Sequence, residues 1–139
     1  MRALVQRVSR AAVRVEGATV ASIGPGMLVL LGVAHADSPA LADRCAEKVR
    51  ALRIFADAGG LMNEALGERE VLAVSQFTLY ADTRRGNRPS FTAAAAPDHA
   101  NALYERFCDR LGAARGAFGA HMEVELTNDG PVTILVEVT

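Results

Sequence analysis

The sequence lacks any segment that predicts a membrane span or an export signal. No apolar run within its 139 residues approaches the roughly 18 residues that a membrane-spanning helix requires. The amino terminus, MRALVQRVSR, is partly basic but has neither the apolar core nor the small-residue cleavage site of a signal peptide. We therefore expect a cytoplasmic protein that contacts no membrane.

Cysteine is scarce, and histidine is never clustered. Cys45 and Cys108 fall in separate helical patterns and form no C-x-x-C or Cys/His spacing of the kind that binds zinc. Because free cysteine is among the most buried residue types, we predict that both are reduced core residues. His35, His99 and His121 lie far apart in the sequence. The sequence predicts no bound metal and no cofactor.

The chain also lacks an excess of charge of either sign. A formal net charge of −1 argues against coating of nucleic acid by bulk electrostatics, because such binding depends on Lys and Arg that neutralise phosphates. A small basic patch is still allowed. Lys48 is the only lysine, and the arginines are spread from Arg2 to Arg115, which favours a compositional bias over selection for phosphate binding.

Common catalytic motifs are missing as well. The sequence contains no G-x-S-x-G elbow and no phosphate-cradling glycine loop. No nucleophile–base–acid triad can be assembled from it.

What is present is, first, a pattern of strands. In AAVRVEGATVASIG, Val13 and Val15 alternate with charged residues and a turn is indicated near Gly17, which predicts a hairpin with one face in solvent. After the GPG turn, MLVLLGV at residues 27–33 is a continuous apolar run typical of a strand covered on both faces.

Two amphipathic helices are predicted next. In the first, Ser38 can cap the exposed amides and Pro39 suits the first helical position; its apolar stripe is Leu41, Cys45, Val49 and Leu52. In the second, Gly112 is placed to end the helix, and the stripe is Ala100, Leu103, Tyr104, Phe107 and Leu111.

The carboxyl-terminal segment predicts two strands joined by a turn at NDGP. The length is enough for one core that buries roughly two thirds of the unfolded surface. We predict a single domain over residues 1–139, with a compact, strand-rich α+β fold. Its layers are β/β/α, with a barrel-like sheet and two main helices that cover one side.

One predicted core strand ends in an unusual way. VLAVSQFTLYA begins with the apolar residues 71–74, after which Ser75, Gln76 and Thr78 surround Phe77 without any glycine or proline. At the rim of a core, amides and hydroxyls can converge without the cost of burying unpaired polar groups. A strand end whose hydroxyls only bond to a neighbouring turn fits the same residues.

A second candidate is the dipeptide Gly130-Pro131 within NDGP. A Gly-Pro bond can be trans or cis, and a cis bond would point two carbonyl oxygens in the same direction. The same residues also fit an ordinary hairpin connection.

These two stretches lie within a sequence that closely resembles the D-aminoacyl-tRNA deacylases, long called D-tyrosyl-tRNA deacylases. The resemblance covers essentially the whole chain and is carried by MRALVQRVSRA, IGPGMLVLLGV, LRIF, VSQFTLYADTRRGNRPSF and NDGPVTI. Its most specific elements are SQFT and the later Gly-Pro. The departures are GVAHADSPA, which is not a family signature, and His121, where the family often has an acidic residue.

The resemblance implies hydrolysis of the ester that joins a D-amino acid to the 3′ end of tRNA. It also implies a homodimer, in which SQFT of one subunit and Gly130-Pro131 of the other form each active site. In the family this Gly-Pro bond is cis, its carbonyls exclude L-aminoacyl-tRNA while glycyl-tRNA is accepted, and an arginine matching Arg7 helps hold the turn. Such a site acts by rejecting the wrong substrate.

A mechanism follows as a hypothesis. Amides around Gln76 and Phe77 form part of an oxyanion hole, while Phe77 anchors the strand and Ser75 fixes its end. Thr78 has no histidine or carboxylate in or beside the motif to activate it as a nucleophile. We expect Thr78 to position the substrate while water attacks, assisted by the ribose hydroxyl of the tRNA.

Several alternatives remain open at this point. Arg84, Arg85 and Arg88 are candidates to contact acceptor-stem phosphates, with Arg10 or Arg14 extending the patch, but they also fit an ordinary solvated loop. The chain also fits an RNA-binding module that grips a tRNA end without cutting it, and a structural dimer.

Overall fold

The computed structural model describes residues 1–139 and contains eight strands, two α-helices and one short 3-10 helix. The strands are β1 (Arg2–Val15), β2 (Ala18–Ile23), β3 (Gly26–Gly32), β4 (Phe55–Ala56), β5 (Met62–Glu64), β6 (Glu70–Ser75), β7 (Ala114–Arg115) and β8 (Glu123–Glu137). The helices are α1 (Pro39–Ala51), α2 (Pro97–Leu111) and the 3-10 helix Phe77–Tyr80. Neither α-helix is long and apolar enough to cross a membrane.

Strand β1 organises the sheet because it is long enough to pair with three other strands. On one edge its first half is antiparallel to β3 and its second half is antiparallel to β2. The other edge pairs with β8 along nearly its whole length. Strand β6 is parallel to β3, and β7 is parallel to β6. Because β2 also lies against β6 and β7, the sheet curls into a nearly closed barrel, which confirms the predicted fold class.

The apolar core has two parts on opposite faces of the sheet. Strand β6 contributes to both: Val71 and Ala73 lie in the larger part, which the two helices cover, and Leu72 and Val74 lie in the smaller part. All four residues are buried. The predicted core strand at residues 71–74 is confirmed, and a continuous apolar run is what a strand covered on both faces requires.

Both predicted helices form, and their ends follow the predicted signals. The Ser38 Oγ accepts a hydrogen bond from the Leu41 amide at 3.2 Å, and Pro39 stands in the first turn of α1. Helix α2 ends at Gly112, whose φ of 67° lies in the left-handed region that glycine adopts without steric cost.

One prediction about the strands is confirmed and one is wrong. The β1–β2 hairpin forms, with its turn at Glu16 and Gly17. The carboxyl-terminal segment, however, is not a hairpin: β8 is one strand that stays paired with β1 on both sides of NDGP. Residues 129–132 leave the ladder as an excursion between Asn128 and Thr133. The turn residues are accommodated as a bulge because β1 continues past them without interruption.

Candidate active site

The polar strand end is a sharp transition from strand to 3-10 helix. Ser75 is the last residue of β6 and pairs with Leu31 of β3. The Gln76 amide donates a hydrogen bond to the Leu31 carbonyl at 2.8 Å, and the chain then enters the 3-10 helix Phe77–Tyr80. Polar residues are tolerated here because the chain is leaving the sheet and none of Ser75, Gln76 or Thr78 is fully buried.

Contacts from β1 and β3 hold the 3-10 helix against the sheet. The Arg2 Nη1 donates to the Leu79 carbonyl at 2.8 Å, and the Arg2 guanidinium lies 4.6 Å from the centre of the Tyr80 ring. A Cβ at Gly32 would lie 3.0 Å from the Leu79 Cβ and 3.2 Å from the Tyr80 ring, so a glycine permits the close approach. Burial raises the pKa of Tyr80 to about 12, so its hydroxyl is neutral at physiological pH.

Phe77 differs from its predicted role. Its side chain is 55% exposed and packs edge-on against Phe91, with ring centroids 5.1 Å apart and an interplanar angle of 76°. It therefore does not anchor the strand in the core. Such edge-to-face aromatic pairs are favourable, and here the pair forms part of the wall of a cleft.

Thr78 has one side-chain partner, and that partner is not a base. The Gln76 Nε2 donates a hydrogen bond to the Thr78 Oγ1, and no histidine or carboxylate is hydrogen-bonded to this hydroxyl. A hydroxyl nucleophile normally has such a base within hydrogen-bond reach. The geometry suits a hydroxyl that is oriented for binding.

The backbone donors of the motif are fewer than predicted. The Gln76 amide is already engaged by the Leu31 carbonyl, so it is not free to stabilise an oxyanion. The first amides of a helix have no partner within that helix, which leaves the amides of Phe77 and Thr78 as the donors at this end.

A largely apolar cleft of about 610 Å³ opens beside the motif. Ser75, Gln76 and Phe77 supply one side of it; the remaining lining residues are Val74, Phe91, Ala94, Ala95, Pro97, Ala100, Phe118, Gly119, Ala120, His121, Met122 and Val124. An apolar cleft with a few polar groups at one end is typical of a site for a small molecule or for one end of a larger ligand.

Three residues of the cleft were not predicted from the sequence as site residues: Phe91, Phe118 and His121. His121 is the only ionisable side chain among the lining residues. No motif in the sequence around it marks it as a site residue. Phe91 lies within a segment that carries the family resemblance, and that was the one available signal. No group of three or more His, Cys, Asp or Glu side chains is placed to hold a metal ion.

Gly130 and Pro131 lie at the exposed tip of the β8 excursion, and the bond between them is cis. The excursion is held at its base by Asn128, whose Oδ1 accepts from the Val132 amide at 2.8 Å and whose Nδ2 donates to the Val132 carbonyl at 3.1 Å. Arg7 contacts the excursion from β1, as its Nε donates to the Asp129 carbonyl at 2.7 Å.

Within one chain the two predicted motifs do not share a cleft. Gly130 and Pro131 are absent from the lining of the apolar cleft. Arg7 and Asp129 line a separate cleft of about 340 Å³. The structure thus brings the residues of each motif together but does not join the two motifs.

The sheet register gives the separation. Arg7 lies opposite Met27 near the start of β3, whereas Gln76 bonds to Leu31 near its end. At about 3.3 Å per strand residue, these positions are about 13 Å apart along β3. A single chain therefore does not assemble one small site from both motifs.

Comparisons with known proteins agree with the resemblance noted in the sequence. A family model described as D-Tyr-tRNA(Tyr) deacylase matches residues 4–137. A protein of Symbiobacterium thermophilum named D-aminoacyl-tRNA deacylase is 57% identical, and the alignment covers 99% of this chain and 95% of that protein. A protein of the same name from Deinococcus deserti is 54% identical, with 99% of each chain covered.

Two solved structures have similar folds. One, titled c-Myc DNA Unwinding Element Binding Protein, has a TM-score of 0.93 and 38% identity over 99% of this chain and 98% of its own. Another, titled Structural Analysis of a probable eukaryotic D-amino acid tRNA deacylase, has a TM-score of 0.84 over 97% of each chain. Its 17% identity supports the fold alone.

Proposed function

The chain belongs to the D-Tyr-tRNA(Tyr) deacylase family, and we propose that it hydrolyses the ester bond of D-aminoacyl-tRNA in the cytoplasm, releasing free D-amino acid and tRNA. The observation that carries this proposal is the similarity to D-aminoacyl-tRNA deacylases above 50% identity across nearly the whole chain. Within that span, Ser75, Gln76 and Phe77 border an apolar cleft large enough for the end of a tRNA.

In this proposal the transition state is stabilised by the backbone. Ester hydrolysis passes through a tetrahedral oxyanion, and each well-placed donor lowers the barrier by a few kcal/mol. The amides of Phe77 and Thr78 supply these donors, while the Gln76 amide keeps its bond to Leu31 and fixes the position of the turn. The two donor amides are preorganised because the pairing of β6 with β3 holds Gln76, the residue before Phe77, in place.

Thr78 then positions the substrate. Its hydroxyl accepts from the Gln76 side chain, so its own proton is free to donate to an oxygen of the bound ester. Water is the nucleophile, assisted by the neighbouring ribose hydroxyl of the tRNA. This assignment agrees with the lack of a base beside Thr78.

Chiral selection is assigned to a second copy of the chain. The active site forms in a homodimer when Gly130 and Pro131 of one subunit reach the cleft of the other. Their carbonyl groups then occupy the space that an L-side chain requires, while D-aminoacyl and glycyl esters fit. Two features support this arrangement: the excursion is exposed, and it lies too far along the sheet to reach the cleft of its own chain.

An apolar row on the sheet suits this dimer. Leu4 of β1 lies opposite Leu30 of β3 on one side and Leu135 of β8 on the other. Leu135 points to the same face of the sheet as Leu4, and its side chain is 47% exposed. The row continues from Leu30 to Val74, which lines the apolar cleft. A second copy that covers this row therefore lies next to the cleft.

A second candidate function is nucleic-acid binding without hydrolysis. It is favoured by the printed title of the solved structure that is 38% identical to this chain, which names a DNA-binding protein. The intact SQFT and Gly-Pro motifs favour the enzyme.

One assay tests both candidates. The purified protein is incubated with the same tRNA charged with D-tyrosine, L-tyrosine or glycine, and release of the amino acid is followed. We expect release from the D-aminoacyl and glycyl forms and retention of the L-aminoacyl form. Binding of all three without release would support the second candidate, and equal release of the D- and L-forms would contradict chiral selection.

A further inference from the structure

Arg85 and Arg88 are the only arginines of the chain that make no ion pair and no hydrogen bond. Every other arginine donates to a carboxylate, an amide oxygen or a backbone carbonyl. Both side chains are exposed. An unpaired guanidinium keeps its full charge and all its donors for an external anion, and its planar fork matches the oxygens of a phosphate.

The loop that carries these two arginines is closed at its base. The Asp82 amide donates to the Ser90 carbonyl at 2.7 Å, and the Ser90 amide donates to the Asp82 carbonyl at 2.9 Å. Arg84 reinforces the base, since its Nε and Nη2 donate to the two carboxylate oxygens of Asp82 at 2.9 Å and 2.6 Å. Arg84 also holds the pKa of Asp82 down at about 2. The charge of Arg84 is therefore balanced within the loop.

The loop stands beside the apolar cleft because of its two attachment points. It begins directly after the 3-10 helix Phe77–Tyr80 and ends at Phe91, whose ring contacts Phe77 in the cleft wall. The residue that follows, Thr92, is held through its carbonyl by His35 Nε2 at 2.6 Å. A ligand whose end lies in the cleft against Phe77 and Phe91 would extend past this loop.

We propose that Arg85 and Arg88 bind phosphodiester groups of the single-stranded 3′ end of tRNA as it leaves the cleft. The inference rests on the proposed function, which brings the terminal nucleoside and its ester to that cleft. The contact is local, in agreement with a net charge of −1. The proposed phosphate site does not include Arg84, because Asp82 neutralises its charge. It also does not include Arg10 or Arg14, because both pair with Glu125.

The salt dependence of tRNA binding tests this site. Fluorescently labelled, uncharged tRNA is titrated with the wild type, with Arg85→Gln/Arg88→Gln, and with Arg44→Gln/Arg53→Gln. The last variant removes the same charge from residues that bond to Thr139 and Asn63 instead. For single-stranded nucleic acid each lost phosphate contact reduces the slope of log K against log[salt] by about 0.7.

We expect the Arg85/Arg88 variant to lose about 1.4 units of slope and the control variant to keep the wild-type slope. Between 50 and 200 mM NaCl, the wild type should then lose roughly sevenfold more affinity than the Arg85/Arg88 variant. Unchanged slopes in both variants, or equal losses in both, would overturn the phosphate site.

Release of D-tyrosine from D-tyrosyl-tRNA is measured on the same wild-type preparation. If the wild type releases D-tyrosine and the slopes do not differ, the phosphate site is wrong and the proposed function stands. If the wild type releases none while the slopes differ as expected, the proposed function is wrong and the two arginines still bind RNA. Because Arg85 and Arg88 are exposed and make no hydrogen bond, we expect the Arg85/Arg88 variant to retain the wild-type melting temperature.

Discussion

Arg7 is the β1 residue that faces the excursion of β8, and it donates from Nε to the carbonyl of Asp129 at 2.7 Å. Its Nη1 donates at 2.7 Å to the carbonyl of Ile54, just before β4. One side chain therefore ties the excursion to two parts of the fold. The position of Gly130 and Pro131 relative to the sheet depends on these bonds.

Replacing Arg7 with methionine should loosen the excursion while the apolar stem of the side chain is kept. Loss of two hydrogen bonds from a charged donor should lower the free energy of unfolding by about 3 kcal/mol or more. If the excursion serves as the gate, kcat/KM for D-aminoacyl-tRNA should fall at least tenfold. Arg44→Met is the matched control, because Arg44 also donates to a backbone carbonyl, that of Thr139. Wild-type kinetics for Arg7→Met would contradict the gating role.

Gly130→Ala should disturb the excursion in a different way. The φ of Gly130 is +152°, and a Cβ there would lie 2.7 Å from the Val132 amide nitrogen and 2.8 Å from its Cγ2. Such an overlap forces the backbone to shift, with a cost of about 1 to 3 kcal/mol. We expect a lower melting temperature and slower release of D-amino acid, both measured on the same sample.

The control for Gly130→Ala is Gly60→Ala. Gly60 also has a positive φ, of +81°, but a Cβ there meets nothing within 4 Å. Gly60→Ala should lower the melting temperature by no more than Gly130→Ala does, and it should release D-amino acid at the wild-type rate. If Gly60→Ala slowed release as much as Gly130→Ala, the effect would be one of stability alone.

Leu135→Glu tests the apolar row as a dimer surface. Leu135 is 47% exposed and lies beside Leu4, so a carboxylate there would be buried unpaired in a dimer that covers the row. We expect sedimentation velocity to show a monomer, with release of D-amino acid lost in parallel. Leu61→Glu is the control, since Leu61 is 70% exposed near β5. A dimeric Leu135→Glu protein would exclude this surface.

The two cysteines should be chemically inert in the folded protein. Cys45 and Cys108 are both fully buried and unpaired, as the sequence predicted. Burial raises the pKa of each thiol to about 11, so at pH 8 only about one molecule in a thousand carries a given thiolate. Iodoacetamide should label neither residue until denaturant is added. Fast labelling of the native protein at pH 8 would show that the core opens locally.

Much of the fold was predictable because its signals are local. The helix ends are marked by hydrogen bonds or φ values within a few residues, at Ser38, Pro39 and Gly112. Apolar and charged residues alternate in the β1–β2 hairpin because one of its faces lies in solvent. The carboxyl-terminal hairpin was predicted wrongly because NDGP has the composition of a turn. Only the continuity of β1, distant in sequence, decides that residues 129–132 form a bulge instead.

The site was predictable to a smaller extent. Residues 75–78 are recognisable because polar side chains follow a buried run without a glycine or proline. Phe91 and His121, by contrast, reach the cleft only through the return of the 82–90 loop and the approach of the segment before β8. The engagement of the Gln76 amide depends on the pairing of β6 with β3. Such long-range relations leave no pattern in the local sequence.

Thr78→Ala provides the sharpest test of the mechanism. The hydroxyl has no histidine or carboxylate partner, and Gln76 Nε2 donates to its oxygen, so we assign it a hydrogen bond to the bound ester. Loss of one such bond should slow single-turnover deacylation by about 10- to 100-fold, and Thr78→Ser should restore most of the rate. No acyl adduct should appear when wild-type reactions are quenched and examined by mass spectrometry. A loss of several orders of magnitude together with an adduct on Thr78 would instead make this residue the nucleophile, and the missing base would then have to come from His121 or from the second subunit.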